Sequence, residues 1–402
     1  MNPGVTSAQF GAFRILFGVY LFSHFWGLFP HASELFSNAG MIPNPEVLPG
    51  WQIPNLFWLG DSPAMVQGVL AGGLIGSILL ALGIQRRWVS LGLWLIWMSL
   101  FHRNFLISNP SIPYIGLLLL VMSAIPRGER LSLGRIVPQW QMPPAAPRGI
   151  LFILMAGYTI SGIHKLGSPS WVDGTALSHV LQLPLARTHA LGDLVRGLPE
   201  WLMMAATWGS LALELLALPL TLLPQTRKWI WLGLVMMQVG ILTLVDFADL
   251  TWAMLLVHVF VFHKDWLMPR PFETQKPIVF FDGVCGLCNQ AVDFILAEDG
   301  ESQFLFAPTQ GETAKALGRE EVSQGKSMAL QDGEQVYTRS DAVLRIAAGL
   351  GGFWRVLSWL RILPRPIRDL VYEGVQMNRY RVFGKKETCR LPSPSERTRF
   401  LP

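Results

Sequence analysis

The amino-acid sequence predicts a polytopic all-α membrane domain followed by a soluble α/β domain. Residues 1–263 contain 13 Lys and Arg and 10 Asp and Glu, and they are rich in long apolar runs. Residues 264–402 contain 19 Lys and Arg and 17 Asp and Glu, which is the mixed composition of a soluble domain. All eight histidines lie at or before His263, and all three cysteines lie after it. The chain therefore changes character near residue 264.

The first part contains apolar runs of the length that crosses a bilayer, which is about 20 residues. They lie at residues 8–29, 64–84, 88–107, 150–166, 201–223, 228–246 and 248–263. A shorter run at 113–126 follows Pro110 and Pro113, and counting it gives about eight helices. We therefore expect a helical membrane domain over residues 1–265.

Basic residues concentrate in the loops on one side of these spans. That side carries Arg86, Arg87, Arg127, Arg130, Arg135, Arg148, Arg227, Lys228, Lys264 and Arg270. The positive-inside rule makes it cytoplasmic, together with the C-terminal domain. If the 113–126 run does not cross, the downstream orientation inverts. The net charge of +5 sits largely in these loops, so it indicates a bilayer and not a nucleic acid as partner. We expect a multi-pass protein of the bacterial inner membrane.

Several ionisable residues lie within or at the ends of the spans, where a charge costs at least a few kcal/mol. They are Arg14, His24, His102, Arg103, His164, Lys165, Glu214, Asp246, Asp249 and His258. One interpretation pairs Arg14 with Glu214 to hold helices together. The other places a subset around one internal cavity, with Lys165 as a base, because an amine denied water loses its proton more readily.

The stretch YTISGIHKLGSPSWVDG at 158–174 resembles the segment of vitamin K-dependent gamma-glutamyl carboxylases that holds their proposed catalytic lysine, and Lys165 falls on that position. Together with FRILFGVYLF at 13–22 and HRNFLISNP at 102–110, it is similar to the wider HTTM family. The resemblance implies a shared fold over about residues 5–265. Among the ionisable residues of the spans, the candidates for a membrane-domain site are Lys165, His164, Arg14, Arg103 and Glu214. A quinone is the one cofactor that the resemblance suggests, and none is firmly implied.

Residues 266–277 contain prolines among polar residues and are typical of an extended linker. After it we expect strands at Ile278–Phe281, Phe304–Ala307, Met328–Leu330 and Gln335–Thr338, and helices at Asn289–Ala297, Glu312–Leu317 and Ala342–Ala348. Asp332-Gly333 predicts a hairpin, and Ser340-Asp341 a helix cap. The order β-α-β-α-β-β-α over residues 278–392, before a tail at 393–402, is that of thioredoxin.

The motif DGVCGLCN at 282–289 places two cysteines where the first strand meets the first helix. At a helix N-terminus, unpaired N–H groups and the dipole favour a thiolate, which makes Cys285 the expected nucleophile. Cys288, one turn further, is placed to resolve a mixed disulfide. Asp282 is expected either to relay the proton or merely to cap the helix.

Two alternatives remain for this pair, namely a zinc site and simple packing. A structural zinc needs about four N or S ligands. Cys389 is the one further thiol, and no histidine follows His263. We therefore predict redox exchange and no metal. Cys389 itself is either a third redox participant or incidental.

DGVCGLCN, VYTRSDAVLRI at 336–346 and LPRPIRDLVYEGVQMNRYRVFG at 363–384 resemble the DCC family of thiol-disulfide oxidoreductases. This resemblance implies that Asp282, Cys285 and Cys288 carry the family motif. No proline precedes the Met328 strand, where thioredoxins contact the substrate backbone. Binding of extended peptides is therefore not expected.

The sequence thus predicts a membrane-anchored thiol-disulfide oxidoreductase, an enzyme that reduces protein or small-molecule disulfides and is coupled to a lipid-soluble redox partner. One alternative is a carboxylase-like or quinol-linked membrane enzyme that uses Lys165 as base, with the cysteine domain as its reductant. Another is a non-catalytic membrane scaffold that senses redox state.

Overall fold

The computed structural model describes residues 5–43, 55–134, 136–137, 140–267, 272, 276–300, 302–319, 322, 328–384, 392 and 396–402. The chain forms two compact units, Met1–Phe262 and His263–Pro402. Cys389 and most of the predicted linker lie outside the described residues.

The first unit is helical. Its α-helices are α1 (Ser7–Leu28), α2 (Ala32–Phe36), α3 (Pro63–Leu82), α4 (Arg86–Arg103), α5 (Ile112–Ala124), α6 (Ala145–Lys165), α7 (Pro169–Val172), α8 (Ala176–Val180), α9 (Ala190–Arg196), α10 (Glu200–Leu215), α11 (Ala217–Thr221), α12 (Pro224–Leu244) and α13 (Leu250–Phe260). Short 3₁₀ turns lie at Phe29–His31, Leu56–Leu59 and Phe105–Ile107. Aromatic side chains of α1, among them Phe13, Phe17 and Phe25, pack in its core with Trp97.

Three segments of the described residues are long and apolar enough to cross a membrane, namely Ser7–Phe36, Pro63–Leu82 and Ala145–Lys165. The expectation of about eight spans is therefore not supported. The run at 201–223 is divided at Leu216 into α10 and α11, and Ile112–Ala124 and Leu250–Phe260 are shorter apolar helices. A run of apolar letters does not show where a helix breaks, which explains the difference at 201–223. The runs at 88–107 and 228–246 form the unbroken helices Arg86–Arg103 and Pro224–Leu244, which are not apolar enough to be counted as spans.

Buried charge in the first unit is arranged differently from the predicted pairing. Arg14 Nε lies 3.2 Å and Arg86 Nε lies 3.0 Å from Glu129 Oε1. The guanidinium of Arg14 also donates to the carbonyl of Leu80 at 2.7 Å, which lies near the end of α3. Cations are favoured at such helix ends. The pairing of Arg14 with Glu214 is thus wrong, because Glu129 in a nearby loop is the buried acid within reach.

The second unit is built on a mixed four-stranded sheet. Its strands are β1 (Ile278–Phe281), β2 (Leu305–Pro308), β3 (Ala329–Asp332) and β4 (Gln335–Thr338), in the order β2-β1-β3-β4. Strand β1 is parallel to β2 and antiparallel to β3, and β3 is antiparallel to β4. The helices are α14 (Gly286–Glu298), α15 (Glu312–Ala316), α16 (Arg339–Leu350), α17 (Gly352–Leu357) and α18 (Arg365–Phe383).

Both faces of β1 are buried. Val279 and Phe281 belong to one core cluster, which includes α14 residues such as Val292. Phe280 belongs to a second cluster with Ala314 of α15. Because successive side chains of a strand point to opposite faces, this alternation places packed helices on both sides of the sheet. The two cysteines lie in the first cluster.

The element order along the second unit is the one that the sequence predicts, with strand ends shifted by about one residue. The hairpin at Gly333 is present, with φ of +63° at this glycine, a value that glycine adopts without strain. The predicted cap is wrong. The helix begins at Arg339 after Thr338, and the Ser340 hydroxyl donates to Asp369 Oδ1 at 2.5 Å because α18 lies alongside.

Candidate active site

The loop between β1 and α14 sets the positions of the two cysteines. Cys285 is the N-cap of α14, and its N–H donates to the Asp282 carbonyl at 3.2 Å, which closes a tight turn. The Asn289 side chain donates to the Gly283 carbonyl at 2.9 Å and ties the loop to the helix. Cys288 follows one turn into the helix, so the two thiols lie side by side and are hydrogen-bonded to each other.

Both thiols are buried. Cys285 is 0% exposed and Cys288 is 7% exposed. The first N–H of α14, that of Gly286, does not remain open for an anion, since it donates to the Gly384 carbonyl at 3.2 Å. The sequence-based expectation of open N–H groups beside Cys285 therefore requires a correction. The chain that follows α18 occupies part of this helix terminus.

Asp282 is buried, and its carboxylate joins three parts of the domain. Oδ1 accepts from the Val284 N–H at 3.2 Å and from Gln310 Nε2 at 3.1 Å. Oδ2 accepts from the Tyr380 hydroxyl at 2.5 Å and from Arg379 Nη2 at 3.2 Å. These bonds fix the cysteine loop to α18 and to the turn after β2. The N-cap position itself belongs to Cys285.

Helix α18 supplies functional residues that the sequence analysis did not single out. Arg379 is 7% exposed, and its positive charge acts on both thiols. The Tyr372 hydroxyl accepts from the Met328 N–H at 3.1 Å, and this tyrosine is also close enough to interact with both thiols. The stretch 363–384 holds these residues, but only the folded chain places them beside cysteines about 90 residues earlier.

The surroundings of Cys288 disfavour its thiolate. Burial first and the neighbouring Cys285 second raise the pKa of this thiol, the Asp282 backbone and the charge of Arg379 lower it, and the net pKa is about 12. Burial and the hydrogen bond to Asp282 raise the pKa of Tyr380, so its hydroxyl remains a donor near neutral pH. Cys288 is therefore a protonated thiol at rest.

A dithiol of this kind can exchange two electrons with a disulfide. Among the residues that the structure describes, no group of three or more His, Cys, Asp or Glu side chains could hold a metal ion. The two cysteines are free thiols. This geometry suits redox exchange better than coordination.

Comparison with known proteins connects this geometry to a family. Residues 279–385 match the profile of the DCC1-like thiol-disulfide oxidoreductases. The chain is 41% identical over 133 residues to the uncharacterized protein YuxK of Bacillus subtilis (strain 168), and the alignment covers 97% of that protein and 32% of this chain. The chain belongs to the DCC1-like thiol-disulfide oxidoreductase family. It thereby has a general redox function.

A second member of the DCC1-like family is more distant. The chloroplastic DCC family protein At1g52590 of Arabidopsis thaliana is 36% identical over 126 residues, which cover 72% of that protein and 30% of this chain. No solved structure matches the chain.

The predicted residues of the first unit lie outside the DCC1-like match, and the comparisons provide no evidence for an HTTM domain. Lys165 Nζ lies 2.6 Å from Glu214 Oε1 and 4.2 Å from the centre of the Trp171 ring. His164 is exposed. Arg103 Nη2 donates to Asp61 Oδ2 at 3.1 Å and to the Ile42 carbonyl at 2.8 Å.

Of the five residues predicted to share a membrane site, the structure therefore brings together only Lys165 and Glu214. Arg14 belongs to the cluster around Glu129, and Arg103 belongs to another pair. A buried carboxylate and an amine at 2.6 Å stabilise each other's charged forms. This contact favours a structural role for Lys165 over that of a base.

Proposed function

We propose that the protein is a membrane-anchored thiol-disulfide oxidoreductase in which Cys285 attacks a substrate disulfide and Cys288 resolves the product. The family assignment supports the redox class. The observation that carries the assignment of roles is the position of the two thiols on α14: Cys285 is the N-cap, whereas Cys288 lies one turn inside the helix and has its pKa raised to about 12, chiefly by burial.

The exchange proceeds in two displacements. The Cys285 thiolate attacks one sulfur of the substrate disulfide, a Cys285–substrate bond forms, and the other substrate sulfur leaves as a thiolate. Cys288 then loses its proton and attacks the Cys285 sulfur, and the second substrate thiolate leaves. The products are a Cys285–Cys288 disulfide and a dithiol, so two electrons have passed to the substrate.

The first displacement prepares the second. While Cys285 is free, its charge and its hydrogen bond to Cys288 both raise the pKa of Cys288. In the mixed disulfide Cys285 has neither a charge nor a proton to share. Burial, the largest cause of the raised pKa of Cys288, remains in place, so this pKa falls only in part, and the fall favours ionisation of Cys288 at the step that needs its thiolate.

The surroundings favour compact substrates. The backbone N–H of Met328, which begins the segment leading into β3, already donates to Tyr372, so it does not pair with an extended peptide. A small disulfide, or an exposed disulfide on a folded protein, fits this arrangement better. Three apolar helices long enough to span a membrane support anchoring.

Trapping tests this proposal. In full-length protein, Cys288→Ser removes the resolving thiol, and we expect the substrate to remain covalently attached to Cys285 until a reductant is added. Cys285→Ser is the matched control and should trap nothing. A Cys288→Ser variant that turns over a small aromatic disulfide at the wild-type rate would contradict the assignment. Equal trapping by both variants would contradict the distinction between the two thiols.

The same variants test the non-catalytic alternative. A redox sensor changes state once per oxidation, whereas an enzyme reduces many disulfides when a dithiol reductant regenerates it. We expect multiple turnovers with wild-type protein and none with Cys285→Ser. Failure of wild-type protein to exceed one equivalent would favour the sensor.

A further inference from the structure

The first unit contains a cavity that the redox chemistry does not use. Its volume is about 730 Å³, and it lies between α1 and α13, with Phe101, Ile107 and Asn109 completing the wall. Ligand sites for small molecules typically measure about 300–1,000 Å³, with mostly apolar walls and a few convergent polar groups. This cavity has both properties.

The polar groups converge on one carboxylate. Asp249 Oδ2 accepts from the Tyr20 hydroxyl at 2.9 Å and lies 2.5 Å from His24 Nδ1. Asn109 Nδ2 lies 3.4 Å from Asp249 Oδ1. The residue before Asp249, Ala248, has φ of +51°, a left-handed conformation that is unfavourable for alanine. The chain thus places this carboxylate in the cavity wall at the expense of backbone strain.

The cluster is held rigidly but is not saturated. The His24 ring lies 4.7 Å from the Trp97 ring, centre to centre, and its side chain is only 10% exposed. Among the residues that the structure describes, its Nε2 has no hydrogen-bond partner. Besides the backbone N–H of Asp249 itself, three side-chain donors approach its carboxylate, and of these Asn109 is the one at Oδ1, at 3.4 Å. Because the Asp249 side chain is 27% exposed, a ligand can reach Oδ1 and offer it a closer donor.

The mouth of the cavity is apolar. Leu16, Val19 and Trp252 line it and are 45%, 59% and 55% exposed. Two of them lie on Ser7–Phe36, a segment able to span a membrane. A ligand entering past these side chains comes from hydrocarbon, and a charged head group would have to cross it at a cost of at least a few kcal/mol. A neutral head that donates a hydrogen bond meets no such barrier.

We propose that this cavity binds an uncharged lipid-soluble molecule with an apolar body and a hydroxyl head, and that the hydroxyl donates to Asp249. The proposal does not depend on the redox function of the second unit. A long-chain alcohol and an alkylphenol share this chemistry, and the binding measurement distinguishes them.

The test uses the full-length protein in lipid nanodiscs and radiolabelled hexadecanol, with hexadecane as the matched probe that lacks the hydroxyl. We expect saturable binding of hexadecanol and at least about tenfold weaker binding of hexadecane, since a hydrogen bond to a charged acceptor is among the stronger ones. Competition by 4-pentadecylphenol then shows whether an aromatic head is preferred. Equal binding of hexadecanol and hexadecane would overturn the proposal.

Two variants locate the site. Asp249→Asn should weaken hexadecanol binding about tenfold or more and leave hexadecane unaffected, whereas Asp193→Asn, at a 72% exposed side chain that does not line the cavity, should change neither. Gly27→Leu is a second test of the site, and it leaves the polar residues around Asp249 unchanged. Gly27 lines the cavity, and a Cβ added there meets no atom within 4 Å.

Leucine is also a better helix former than glycine, so Gly27→Leu should fold and should weaken binding of hexadecanol by occupying part of the cavity. Its control is Gly209→Leu, a helical glycine with equally open surroundings that does not line the cavity. If folded Gly27→Leu binds hexadecanol like wild-type protein, the proposed site is wrong.

Discussion

Replacing Asp282 by asparagine changes one atom and removes the charge that four donors share. Two donors approach each oxygen, at distances of 2.5–3.2 Å. Asparagine retains one carbonyl oxygen and presents an NH₂ group in the place of the other. Whichever way the amide turns, two of the donors then face a donor.

The expected loss of folding stability follows from the two hydrogen bonds that asparagine cannot accept. A hydrogen bond to a charged group contributes about 1.5–3 kcal/mol, so two lost bonds amount to about 3–6 kcal/mol. A domain of this size is stable by roughly 5–15 kcal/mol, so Asp282→Asn should remove a large fraction of its stability. With a urea slope of about 2 kcal/mol per M, the middle of the usual range, the unfolding midpoint should fall by about 1.5–3 M.

The assay is urea unfolding of residues 263–402, followed by circular dichroism under reducing conditions. This segment forms a compact unit, and the Bacillus relative consists almost entirely of its counterpart. Asp265→Asn, at a 65% exposed side chain, is the control and should change stability by less than about 0.5 kcal/mol.

An Asp282→Asn variant within about 0.5 kcal/mol of wild type would refute this reasoning, because the carboxylate would then not hold the domain together. The same samples test the proton-relay hypothesis. If thiol alkylation slows in Asp282→Asn while stability is unchanged, the carboxylate acts on the proton and not on the fold. We expect the opposite pattern.

Four further predictions concern charge. In Cys285→Ser, alkylation of Cys288 should keep rising beyond pH 9, since burial is the largest cause of its raised pKa. Wild-type stability should fall as the pH rises from about 9 toward 12, because the unfolded thiol ionises first. Adding Arg379→Met to Cys285→Ser should slow alkylation of Cys288 at alkaline pH, because the charge of Arg379 lowers the pKa of this thiol. Lys165→Met should lower thermal stability in detergent by about 2 kcal/mol by leaving Glu214 unpaired, and Lys165→Met/Glu214→Gln should recover part of it.

The strands and helices of the second unit could be predicted because their signals are local. Four apolar residues at Ile278–Phe281 before a turn, and Asp332-Gly333 between two short runs, each specify their element without reference to distant residues. The position of α18 over the thiols could not be predicted in this way. It depends on Arg379 and Tyr380 meeting Asp282, 97 and 98 residues apart in sequence.

In the first unit, too, local features could be predicted from the sequence and long-range contacts could not. Apolar composition correctly predicts helices, but the pairing of buried charges depends on which helices become neighbours. Glu129, which two arginines approach, lies in a loop, outside the apolar runs in which buried charges were predicted. His24 and Asp249 were recognised as ionisable residues in spans, yet 225 residues separate them, and no sequence pattern connects them.

The complete burial of Cys285 has a kinetic consequence. A sulfur that is 0% exposed reacts only in the fraction of time during which the fold opens, so at high oxidant concentration the rate should reach a plateau set by opening. Small oxidants of different intrinsic reactivity would then converge on one maximal rate. A thiol shielded in this way does not react in most of its encounters with an oxidant. Its selectivity therefore depends on what moves Gly384, the residue after α18, away from the N-terminus of α14.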